Sequence, residues 1–206
     1  QGRTSQGHWE GRLSSSALST ATAVTALGLA AREGGESAIA DRRLAEAGLL
    51  WLAQHVNADG GWGDTPESPS NISTTTLAWA AFGVLPEVEA QHLAVVKRAG
   101  AWIAREAGSA EPGKLADAIT ARYGRDRTFS VPILTLCALA GRLGQEASAW
   151  DKVMALPFEM AALPRDWFAL ARLPVVSYAL PALIAMGQAH HHLRPSRNPL
   201  VRLLRD

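Results

Sequence analysis

A motif that recurs at a fixed distance constrains a chain strongly, because each copy has to build the same unit of structure. Gly7-His8-Trp9 is followed by a Ser-rich turn and then by the uncharged run 19–27. Asp59-Gly60-Gly61-Trp62-Gly63 is followed by a Ser/Pro turn and then by the uncharged run 74–82. Trp9 and Trp62 stand 53 residues apart, and Ser19 and Thr74 stand 55 apart, so the two units align with a two-residue insertion in the second turn. Each unit closes on a similar segment: Ala47-Gly48-Leu49-Leu50-Trp51-Leu52-Ala53 in the first, Ala99-Gly100-Ala101-Trp102-Ile103-Ala104 in the second. Ala45, Leu49, Leu52 and Val56, and then Leu93, Val96, Gly100 and Ile103, recur at helical spacing, with Arg42, Arg43 and Glu46 facing away from the first stripe.

Buried, charge-free helices therefore alternate with half-buried ones. A ring of inner helices covered all round, inside a ring of outer helices covered on one face, satisfies that pattern. The expected fold is all-α, an α/α barrel or toroid of helical hairpins, since no stretch alternates at period two long enough to make a strand. A third inner helix is expected over 128–143 and a fourth over 174–188, entered or kinked at Pro181, with a Pro-punctuated apolar stretch over 150–172 between them. The expected organisation is one domain over 1–193, with units at about 7–58, 59–108, 120–160 and 161–193, followed by a basic tail or linker to a second domain over 194–206.

Composition narrows the function. With 48% hydrophobic and 19% charged residues the chain can bury a core, which excludes a disordered chain. Lys plus Arg number 20 against 19 Asp plus Glu, a balance that gives no reason to expect nucleic acid. The single cysteine, Cys137, excludes a disulfide framework and any multi-cysteine zinc site, and is expected to be an inert core thiol. Three segments lack charge, 13–31, 68–86 and 173–193, but none is apolar enough to span a membrane. They read as interior helices. A start at Gln1 is expected of a piece of a longer protein.

Few residues announce chemistry. In Asp59-Gly60-Gly61-Trp62-Gly63 the glycines permit a tight turn, and the Trp offers a plate with one N–H to wedge between helix ends, a staple that needs no chemistry. His190-His191-His192 project about 100° apart on a helix and cannot converge on one metal ion, so no metal is expected. Asn71-Ile72-Ser73 reads as a coincidental glycosylation match, and Thr74-Thr75-Thr76 as hydroxyls that cap or back-bond along a buried helix. Arg122, Arg125 and Arg127 form a solvated basic loop. No phosphate loop and no Ser/His/Asp set stands out, and no cofactor is expected. The acidic residues Asp59, Asp64, Asp117, Asp126, Asp151 and Asp166 are scattered, which counts against a carbohydrate-active α/α barrel with its paired carboxylates.

The Asp-Gly-Gly-Trp-Gly turn, preceded by Leu50-Trp51-Leu52-Ala53-Gln54-His55 and followed by a Thr-rich helix, resembles the QW repeat of triterpene cyclases. Gly7-His8-Trp9-Glu10-Gly11 is similar to a degenerate second copy, so Trp9, Gly60, Gly61 and Trp62 are the residues that resemblance marks as structural. The order of the later pieces, Phe129 to Gly141, Trp150-Asp151-Lys152-Val153, Pro157-Phe158-Glu159 and Val175 to Gly187, resembles the N-terminal half of squalene–hopene cyclases. In that family a linear isoprenoid such as squalene folds in an apolar cavity between two α-barrel domains. An acid from an Asp-x-Asp-Asp motif in the other barrel protonates it, and ring faces steady the cation.

This chain has no Asp-x-Asp-Asp, so the resemblance implies no catalytic residue here and an isomerase activity only as part of a longer assembly with a second α-barrel domain or subunit. It implies instead a cavity wall, with Phe129, Leu136, Trp167, Phe168 and Tyr178 as lining candidates; ordinary core packing is the alternative for each. It also implies a cytoplasmic protein with a peripheral, monotopic membrane contact through 156–187, where Arg165 and Arg172 snorkel, beside the basic Arg194, Arg197, Arg202 and Arg205. A non-catalytic isoprenoid-binding or scaffolding module is the other reading.

Overall fold

A computed structural model describes residues 3, 5–7, 13–124, 126–164, 166–167 and 180–205. Among them the secondary structure is helical: α1 (Ala17–Glu33), α2 (Ala38–Gln54), α3 (Ile72–Phe82), α4 (Pro86–Gln91), α5 (Leu93–Ala107), α6 (Pro112–Tyr123), α7 (Arg127–Leu139), α8 (Glu146–Trp150), a 3-10 turn (Phe158–Ala162), α9 (Leu180–Leu193) and α10 (Pro199–Arg205). Local chemistry sets several ends. Ser16, Asn71 and Asp126 side chains accept first-turn N–H groups at the starts of α1, α3 and α7, and Pro86 and Pro112 open α4 and α6 where no N–H is needed. Gly108 closes α5 in the left-handed region, φ 77°.

The inner helices form a row, α1 beside α3, α3 beside α7 and α7 beside α9, with α2 against α1 and α3, α5 against α3, and α6 against α5 and α7. This is the two-layer arrangement of an α/α toroid. The centre of the row is α3, in which Ser73 to Ala78 and Ala80 to Phe82 are all buried. The outer helices bury one face: Ala45, Leu49 and Leu52 of α2, and Val96, Ala99, Trp102 and Ile103 of α5.

The structure corrects several expectations. The first inner helix is not covered all round: α1 buries Ala17, Ala21, Val24, Thr25 and Gly28 but exposes Leu18, Thr22 and Ala26. It stands at the end of the row, and among the described helices it packs chiefly on α2 and α3. The described part of the fourth, α9, stands at the other end and buries only Gly187, His190 and His191. On α5 the stripe runs through Ala99 and Trp102; Leu93 is exposed and Gly100 half-buried. The third inner helix stops at Leu139 because Ala140 to Arg142 turn, the Arg142 N–H bonding back to Cys137 O at 2.8 Å. Helix α6 begins between the second and third units and runs into the third. After α9 the chain carries α10, whose Arg205 forks onto both oxygens of Glu159 at 2.9 and 3.1 Å.

Close approach of α1 and α2 depends on a missing side chain. A Cβ at Gly48 would lie 2.4 Å from Val24 Cγ2, a stiff branched atom, whereas a Cβ at Gly113 in α6 meets nothing within 4 Å. Gly48→Ala is therefore expected to destabilise by about 1–3 kcal/mol despite its better helix propensity, and Gly113→Ala to stabilise by about 0.5–1 kcal/mol. Urea unfolding of the two variants checks the opposite signs.

Candidate functional site

Trp62 follows the glycine turn and is 1% exposed. Its Nε1–H donates to Leu52 O at 3.0 Å, in the last turn of α2, where a helix leaves carbonyls without partners. Its backbone N–H donates to Thr75 Oγ1 at 2.9 Å, and Thr75 returns its hydroxyl to Trp62 O at 3.2 Å. Its ring packs tilted on Phe82, centroids 6.5 Å apart. One residue, through its side chain and its backbone, thus ties the end of α2 to both ends of α3.

The glycines give this turn its shape. Gly60 holds φ +95°, and a Cβ at Gly61 would sit 2.8 Å from Ser70 and from Thr75 Oγ1. Asp59 gathers the donors around it: Gly61 N–H at 3.0 Å, Ser70 Oγ at 2.8 Å and Trp102 Nε1 at 2.9 Å from α5. Burial pushes the Asp59 carboxyl up, but those three hydrogen bonds and the charge of Arg105 outweigh it and hold the group below its ordinary value. Asp64 is held low chiefly by the Thr74 hydroxyl at 2.5 Å, then by Asn71 Nδ2 at 2.9 Å, against a smaller effect of burial.

The hydroxyls of α3 depart from the expected pattern. Thr74 and Thr75 bond outward to the turn, and Thr76 Oγ1 has no partner among the described residues. Back-bonding occurs instead in α1, where Thr20, Thr22 and Thr25 donate to Ser16, Leu18 and Ala21 carbonyls. Asn71 is the α3 N-cap, accepting from Thr74 N–H at 2.9 Å. Cys137 is fully buried and its thiol pushed up to about 12 by desolvation.

The lining candidates are spread along the chain. Phe129, 54% exposed, opens α7 and stacks on Tyr123 at 5.6 Å, and the Tyr123 hydroxyl bonds Ser73 Oγ of α3 at 2.8 Å. Leu136 lies two turns further along α7, half-buried against the core. Trp167 is exposed. Phe168, Tyr178 and Trp9 lie outside the described residues, as do Arg165 and Arg172. Two surface clefts, of about 430 and 590 Å³, are lined by other residues.

Sequence reasoning missed Arg142. It lies 4.3 Å over the Trp79 ring, donates to Trp79 O at 2.9 Å and pairs with Glu89 at 2.7 Å, a cation on the C-terminal end of α3. It missed Tyr123 too, although Leu115, Ile119 and Tyr123 at four-residue spacing after Pro112 were a legible outer-helix signal. Among the described residues no helix is long and apolar enough to cross a membrane, and no group of His, Cys, Asp or Glu is placed to hold a metal ion.

Because Asp59 and Asp64 bind protons more weakly folded than unfolded, their stabilisation is complete above the unfolded carboxylate range near pH ~4 and is lost as pH falls through the lower folded values. Asp64→Asn keeps the acceptor oxygen for Thr74 but cannot titrate. Urea unfolding at a series of pH values is expected to show stability falling more steeply below pH ~4 in the wild type than in Asp64→Asn; parallel curves would contradict the assignment.

No curated protein and no solved structure shows significant similarity to the chain. The model of the squalene-hopene cyclase N-terminal domain matches residues 1–198, almost the whole of it. On that match, and on the helical toroid that the structure shows, the chain belongs to the squalene-hopene cyclase N-terminal domain family.

Proposed function

We propose that this domain forms one wall of an apolar cavity for a linear isoprenoid such as squalene, and turns its C-terminal third to an anionic membrane surface. A second α-barrel domain or subunit brings the catalytic acid, since no Asp-x-Asp-Asp occurs in these residues. The observation that carries this reading is where apolar surface is left open. More than half of the large exposed apolar side chains among the described residues fall between Met154 and Leu204. Leu200, Leu203 and Leu204 of α10, 71–78% exposed, share one face at helical spacing, with Arg202 beside them. An apolar face next to cations suits a lipid headgroup boundary.

The cavity-wall part rests on the Tyr123–Phe129 stack, which leaves an aromatic surface at the N-terminal ends of α3 and α7. A ring face attracts a travelling cation and does not remove its proton.

Flotation with anionic vesicles carrying a photoreactive squalene analogue tests both parts. Burying a leucine is worth about 1.5–3 kcal/mol, so the double variant Leu203→Gln, Leu204→Gln is expected to lose at least about tenfold in vesicle binding. In the bound wild type the analogue is expected to label peptides containing Phe129 or Leu136. Absence of flotation would sink the membrane part, and labelling confined to other helices would sink the cavity wall.

A further inference from the structure

The C-terminal third also holds an open cleft of about 430 Å³ that the apolar reading leaves unused. Three arginines line it, Arg194 and Arg197 from the turn after α9 and Arg205 from α10, together with His190, Ser196 and a single carboxylate, Asp151. The wall is therefore cationic, in a chain whose overall charge is only +1.

Its parts are held in place. The His190 ring is 7% exposed, and its Nε2 lies 3.2 Å from Trp150 O and 3.0 Å from Val153 O. Two carbonyl partners require a proton on that nitrogen, so the ring is locked by donation. Arg205 is fixed by its fork to Glu159, by Leu156 O at 3.2 Å and by the Phe158 ring 5.2 Å away. That geometry engages Nε and Nη2, and Nη1 carries no hydrogen bond among the described residues. Arg194 meets Asp151 through Nε alone, at 2.7 Å, which leaves both of its terminal amino groups. Arg197 is exposed and makes no ion pair among the described residues.

We infer that this cleft binds a phosphate or diphosphate group, held by Arg194 and Arg197 against the fixed Arg205, with Ser196 as a hydroxyl partner. A single carboxylate ligand has two oxygens and satisfies one guanidinium fork. Two guanidinium groups with free terminal nitrogens, Arg194 and Arg197, and the remaining Nη1 of Arg205 match a tetrahedral group with more acceptor oxygens, and a diphosphate above all. Asp151 is the competitor that the anion displaces from Arg194. A soluble phosphoester and a lipid phosphate headgroup share this chemistry. The inference stands apart from the cavity and from the α10 leucines.

Calorimetric titration of inorganic pyrophosphate into the full chain is the test. Saturable one-to-one binding is expected, weakened at least about tenfold in Arg194→Gln, Arg197→Gln and unchanged in Arg43→Gln, an exposed arginine of α2 outside the cleft. Asp151→Asn, which frees Arg194, is expected to tighten binding about threefold, a gain that unfolding does not produce. If the chain binds phosphatidic acid vesicles through the same two arginines but not pyrophosphate, the source is a headgroup and the site stands. No saturable binding to either probe, or binding that ignores Arg194→Gln, Arg197→Gln, overturns it.

Discussion

A helix sealed from water on every side has to satisfy its own ends. In α3 the difficulty is concentrated at the N-terminus, where Ser73, Thr74, Thr75 and Thr76 are buried beside the first-turn N–H groups. Leaving a buried polar group unpaired costs about 1–3 kcal/mol, so an inner helix of this kind forms only where its surroundings supply partners. The segment from Asp59 to Asp64 supplies two of them, Trp62 exchanging hydrogen bonds with Thr75 and Asp64 taking the Thr74 hydroxyl, and Tyr123 meets Ser73. The negative charge of Asp64 also sits where the helix dipole favours it. At the other end, Arg142 covers the carbonyl of Trp79. The remaining helices are arranged around a rod whose two ends are each met by an opposite charge.

The turn in turn leans on α5. Trp102 donates to Asp59, Arg105 to the Asp59 carbonyl at 3.2 Å, and Arg98 to the carbonyls of Asn57 and Ala58. The outer layer therefore does more than screen the inner helix. It holds the loop that finishes that helix, so inner and outer elements of consecutive hairpins depend on each other.

The inner–outer alternation was legible because charge and periodicity report burial directly: α3 has no charged residue, and α2 keeps Ala45, Leu49 and Leu52 on one face. Position in the row was not legible. The uncharged sequence of α1 looks like that of α3, yet α1 exposes one face because, among the described helices, it packs chiefly on α2 and α3, and no local pattern encodes which neighbours a helix has. Partners of hydroxyls were misjudged for a related reason. Back-bonding within the helix is the local default, as in α1, and the turn overrides it in α3 through contacts across 10 to 13 residues. Of the candidate site, Trp62 was legible from its glycines. Tyr123, Arg142 and the arginine cleft depend on segments 37 to 63 residues apart meeting in space, as in the Ser73–Tyr123, Arg142–Trp79 and His190–Val153 contacts.

The open apolar edges, α1 at one end of the row and the region from Met154 to Leu204 at the other, fit a domain whose working partners lie outside these residues. The stapled inner helix is expected to be the most stable element of the domain, because α1, α2, α5 and α7 all pack on it. Native-state hydrogen exchange tests this directly. The amides of Thr76 to Phe82 in α3 are predicted to exchange only through global unfolding, with Trp62→Phe lowering their protection toward that of α9. Exchange of α3 at the rate of α9 in the wild type would contradict the account.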